Sequence, residues 1–209
     1  MAWTEEQRKK LPSATQVCSR FCRPDLVMAY AEKAAGEGYS PFARLQEDGQ
    51  IGLDVHEAIE ANLQNSNPMV DLGLAAYLRA WGDWCSAWEG LKVLQTRTEQ
   101  ADEFYRSVLD AVIEVDGKQY VTGWVTSGMM DLVRQFAVLA GTWRQYKPQQ
   151  ALEESPGMCL VQLKADGTSE SWFIEPADAR ECTKMFNAFY QAFMGVSTMD
   201  AIAMRSHAD

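Results

Sequence analysis

Asp110 interrupts an apolar run, Val108-Leu109-Asp110-Ala111-Val112-Ile113. A carboxylate inside such a strand needs a cation or hydrogen-bond donors to offset its desolvation. His56 and Glu60 stand four residues apart in a helical pattern and so share a face. An imidazole and a carboxylate can both ligate a hard divalent cation. Asp110 and His56 alone would hold magnesium or manganese weakly, because such ions normally gather several oxygen ligands. The histidine serves equally well as a member of a local hydrogen-bond network. Glu114 lies on the same strand face as Asp110, but the strand rise separates them by roughly 13 Å, too far for one shared ion. Lys118, Arg134, Gln135, Arg144 and Lys147 are polar groups that could reach a phosphate backbone or simply remain solvated.

These residues sit in a chain of 209, of which 47% is hydrophobic and 11% aromatic. That is long and apolar enough for one folded domain with a sizeable core. No apolar run approaches the roughly 18 residues of a membrane span, so no membrane partner is expected. The charged opening "MAWTEEQRKKLP" lacks the apolar centre of a signal peptide. Five cysteines, an odd number without CxxC pairs, suit reduced thiols in a cytoplasm. A formal charge of −10 weighs against a broad phosphate-gripping face, though a small basic groove remains compatible with it.

The elements that position these side chains follow from period and punctuation. "LPSATQVCSRFCRPDLVMAYAEKAAGEG" reads as two short helices, with Ser13 as N-cap and a break at Pro24. "GYSPFARLQEDGQ" reads as a loop, and "IGLDVHEAIEANLQ" as an amphipathic helix. "VDLGLAAYLRAWGDWCSAWEG" reads as a long helix whose Trp81, Trp84 and Trp88 favour core packing. After Gly90 the pattern turns to strands: "KVLQTRTEQ", "FYRSVLDAVIEV", a hairpin turn at Asp116-Gly117, and "KQYVTGWVTS". "DLVRQFAVLAGTWRQY" is helical up to Pro148. "GMCLVQLK" and "SESWFIE" form a second hairpin around Asp166-Gly167. "PADARECTKMFNAFYQAFMG" is a helix with Met185, Phe186, Phe189, Tyr190 and Phe193 on one side. The order implies an α/β fold, a mixed β-sheet flanked by helices with an N-terminal helical region. Tails are expected over 1–12 and 196–209. The domain spans 13–195, helical over 13–90 and α/β over 91–195.

Over most of residues 10–195 the chain resembles the RecB-like branch of the PD-(D/E)XK nucleases, especially compact phage-type members. "GLDVHEAIE", with Gly52, His56 and Glu60, is similar to their GxxxHxxxE helix. "VLDAVIEVDGKQYVTGWVTS" is similar to their core hairpin, normally xxDxxxxxDGxxxxxDxKTS, and "RQFAVLAGTW" to their QxxxY helix. The resemblance implies a restriction-endonuclease-like core. In the family, acids on adjacent strands hold a divalent cation that activates water, with a lysine beside them.

Asp110 occupies the first acidic position, but the second falls on Gly123 and the lysine on Val125. Gln135 is kept, and the family's tyrosine falls on Leu139. No catalytic set is intact. The resemblance therefore implies a degenerate nuclease acting by binding, in phage-type DNA metabolism or in defence and counter-defence. The metal positions would be His56 and Asp110, vestigial or weak for magnesium or manganese. The partner would be DNA, gripped by Arg134, Gln135, Arg144 and Lys147, or a host or phage protein complex that the chain inhibits. The alternative is an active metal-dependent exonuclease with relocated residues, Glu114 being one candidate. Some relatives carry an iron–sulfur cluster on one early and three late cysteines. Here only Cys159 and Cys182 are late, so no cluster is expected.

Overall fold

The computed structural model describes residues 5–19, 21, 23–64, 71–126, 131–146 and 155–206, with the side chains of 5, 7, 8 and 199–206 left aside. Cys22, Ser127, Lys147 and Pro148 lie outside the described residues. The N-terminal helical region comprises α1 (Glu5–Lys10), α2 (Ala14–Ser19), α3 (Pro24–Gly36), α4 (Pro41–Leu63), a 3₁₀ turn (Leu72–Leu74) and α5 (Ala75–Ser86). Ser13 starts α2 as expected. Its hydroxyl accepts from the Gln16 amide at 3.0 Å while the Gln16 side chain accepts from the Ser13 amide at 2.8 Å, a reciprocal cap.

Two helical expectations need correction. The stretch from Pro41 to Gln50, read as a loop, is the first half of α4. Ser40 caps it, accepting from the Ala43 amide at 3.1 Å, and Pro41 opens it, a start signal that local composition obscured. The expected long helix around the tryptophans instead begins with the 3₁₀ turn, capped by Asp71 accepting from the Gly73 amide at 2.8 Å. Trp81 and Trp84 are buried in the core as expected, with ring centroids 5.3 Å apart.

A five-stranded sheet follows in the order β1-β2-β3-β4-β5: β1 (Lys92–Ala101), β2 (Arg106–Val115), β3 (Lys118–Val125), β4 (Gly157–Leu163) and β5 (Ser169–Ile174). All neighbours are antiparallel except β3 and β4, whose parallel pairing is joined through α6 (Leu132–Tyr146). The turn between β2 and β3 sits at Asp116-Gly117, both with positive φ (52° and 76°), the conformation that a two-residue hairpin requires. Every residue of β4 is buried, as suits a parallel-paired strand covered on both faces.

Strand alternation sorts the core into two layers. Val121, Met158 and Leu160 pack with α2, α6 and α7 (Pro176–Ser206). Tyr120, Trp124 and Val161 pack with α4 and α5 on the opposite face. Phe186 is fully buried on α7, and Met185, Phe189, Tyr190 and Phe193 pack beside it as the pattern predicts. That helix continues to Ser206, past the boundary suggested at 195. The molecule is the expected α/β layer structure: a mixed sheet between helices.

Candidate functional site

The β2–β3 register pairs Ala111 with Thr122, and one step further sets Asp110 against Gly123. A Cβ built on Gly123 lies 3.6 Å from Asp110 Oδ2 and 3.4 Å from Leu139 Cδ1. The hairpin and α6 therefore bring Asp110, Gly123 and Leu139 together. From the opposite helix, α4, His56 Nδ1 approaches Asp110 Oδ1 at 3.3 Å. Gly52, one turn earlier, lets α4 come close to the end of β3, because a Cβ there would stand 3.2 Å from Thr126 Oγ1.

Asp110 is largely buried, its side chain 19% exposed. Its desolvation is offset by His56 and by the Trp124 amide, which donates to Oδ2 at 3.3 Å. His56 thus has in Asp110 a partner of the kind that a network role needs. Burial opposes charge on the imidazole, but the hydrogen bond and negative charge of Asp110 outweigh it, helped by the Trp124 backbone, and the His56 pKa is raised.

These side chains line a cleft of about 680 Å³ between α4 and α6, over one end of the sheet. Val125 and Gln135 line it too, as do Glu57, Glu99, Arg97 and Arg106. The last four come from α4 and from polar positions in β1 and at the start of β2. No motif marked them, because their convergence depends on strand pairing and not on local spacing. Glu60 also reaches the cleft but is engaged by Arg97 at 2.9 Å.

Other sequence candidates lie elsewhere. Glu114 pairs with Lys92 at 2.6 Å, toward the hairpin end of β2. Lys118 pairs with Glu175 at 3.0 Å at that same end. Arg144 donates to Asn187 on α7 at 2.5 Å. Arg134 follows Asp131, whose carboxylate accepts from the Arg134 amide at 3.1 Å, and its charge acts on Cys18 in α2. Of the proposed phosphate-contacting set, Gln135 is the described residue that lines the cleft with Asp110, and Lys147 lies outside the described residues.

Asp110 and His56 face each other with Gly123 beside them, two potential ligands where a hard divalent cation normally gathers several, and no group of three His, Cys, Asp or Glu side chains suited to a metal occurs among the described residues. The two late cysteines lie on opposite faces of the sheet, Cys159 toward α4 and α5 and Cys182 toward α6. Burial pushes the thiols of Cys18 and Cys85 up to about 12 and raises those of Cys159 and Cys182 as well, the opposite of an activated thiolate. The chain matches no protein-family model and no curated protein.

Proposed function

We propose that this chain is a catalytically degenerate relative of the RecB-like PD-(D/E)XK nucleases that acts by binding instead of cutting. The observation that carries the reading is the placement of Gly123. Its missing side chain would start 3.6 Å from Asp110 Oδ2, where a second acid could share an ion with the first. Val125 follows two residues later and lines the same cleft, where a lysine would stand. What the cleft retains is an aspartate tied to a histidine, with apolar Leu139 and Leu160 beside the glycine.

Relocated chemistry would need another acid near Asp110. Glu114 is drawn to Lys92 and Glu60 to Arg97. Glu57 and Glu99 also line the cleft, but no group of three His, Cys, Asp or Glu side chains suited to a metal occurs among the described residues, which favours the binding reading over an active exonuclease.

Restoring the missing groups tests this. Manganese binding is measured by calorimetry on the wild-type chain, on Gly123→Asp with Val125→Lys, and on that pair with Asp110→Ala added. Melting establishes that each variant is folded, since burying a lysine has its own desolvation cost. The expected result is tighter manganese binding in the double variant, lost when Asp110→Ala is added. Unchanged affinity in a folded double variant would falsify the assignment of these positions.

A further inference from the structure

Helix α4 has two apolar faces. One is buried and carries Val55, Ala58 and Ile59. The other is exposed. Phe42, Leu45 and Leu53 are 69%, 59% and 59% accessible, and helical spacing sets them in one row with Gly49, His56 and Glu60. Gly49, Leu53, His56 and Glu60 line the cleft, so the exposed row runs directly into it. From Phe42 to Glu60 the row extends roughly 27 Å at helical rise. Across the cleft Val108 is 47% exposed and also lines it. Singly exposed apolar residues are ordinary, whereas a row continuous with a cleft is the form of a recognition groove.

Charge selects the occupant. Asp48, Glu57, Glu60, Glu99 and Asp110 line the groove, against Lys9, Arg97 and Arg106. Arg97 is held by Glu60, and Asp48 by Arg44 at 3.2 Å. A polyanion would meet five carboxylates in the groove on a chain of charge −10, and a second copy would bring a surface of the same sign. A segment with apolar anchors and basic flanks complements both properties.

We infer that the outer face of α4 and the cleft form one docking groove for a basic, amphipathic helical segment of a protein partner. This rests on the reading of the chain as a binding protein and names the class of partner.

The test uses the full chain and fluorescence anisotropy. The probes are a labelled Leu/Lys amphipathic helical peptide of about 18 residues, enough to span the row, its Leu/Glu counterpart, and single- and double-stranded DNA oligonucleotides. Phe42→Ser and Leu53→Ser alter exposed side chains, and melting confirms that they fold. Val196→Ser, exposed on α7, is the control. The expected result is binding of the Leu/Lys peptide alone, weakened about tenfold by each α4 variant and unchanged by the control. The inference is overturned if the Leu/Lys peptide does not bind, if both peptides bind equally, if the α4 variants have no effect, or if DNA competes for the groove. Dimers that Leu53→Ser disperses would assign the groove to a second copy and overturn it too. A manganese cleavage assay on the same samples separates the two levels. Absent peptide binding without cleavage removes only the docking inference, whereas cleavage lost in Asp110→Ala removes the reading beneath it.

Discussion

Asp110 meets its desolvation with two donors, the Trp124 amide and His56, and this coupling has a pH signature. The folded His56 pKa is raised above its ordinary 6.5 by the hydrogen bond and charge of Asp110, which overcome burial. A raised folded value means that the coupling stabilises the chain fully below about 6.5 and that its contribution disappears as pH rises through the folded value. Denaturant unfolding of wild-type and His56→Gln chains at about pH 6 and about pH 8.5 reads this directly. The stability difference between them should shrink at the higher pH; a difference that grows would show that Asp110 does not hold the imidazolium. At this scale much was legible. An aspartate in an apolar strand announces a need for donors, and hairpin pairing placed Gly123 beside it. The surroundings of Arg144 and Glu114 were not legible, because Asn187 and Lys92 come from elements whose approach no local pattern encodes.

Among the elements, the sheet and its hairpins followed from alternation and turn chemistry, whereas the first half of α4 did not. Its outward residues include Phe42 and Leu45, which blur the single apolar stripe that marks an amphipathic helix. The Ser40-Pro41 start signal was present but outweighed by the glycine and charge around residue 49. The α6–α7 contact was equally hidden and rests on Gly141. A Cβ there would lie 2.7 to 3.0 Å from the ring of Phe186. That ring is fully buried and packs 4.7 Å from Tyr105, whose hydroxyl donates to the Gly141 carbonyl at 2.7 Å. With no free direction for the ring, overpacking should outweigh the gain of about 1 kcal/mol in helix propensity. Gly141→Ala is expected to destabilise the chain by about 1–3 kcal/mol, with partial recovery on adding Phe186→Leu. Thermal melting decides it: a raised Tm for Gly141→Ala contradicts this packing.

For the whole molecule, a mixed sheet between two helical layers delivers α4 and α6 to the same end of the β2–β3 hairpin, which creates a cleft. Architecture of this kind supports many functions, so the weight falls on what the cleft contains. It gathers His56, Asp110 and Gln135 with Gly123, Val125 and Leu139, and on the proposed reading the last three are positions that have lost an acid, a lysine and a tyrosine. The most direct measurement is an endpoint cleavage assay on single- and double-stranded DNA with magnesium or manganese, comparing the wild-type chain with Asp110→Ala. We expect no cleavage by the wild type beyond that of the variant. Metal-dependent cleavage by the wild type that Asp110→Ala abolishes would contradict the binding reading and establish a working nuclease with relocated residues.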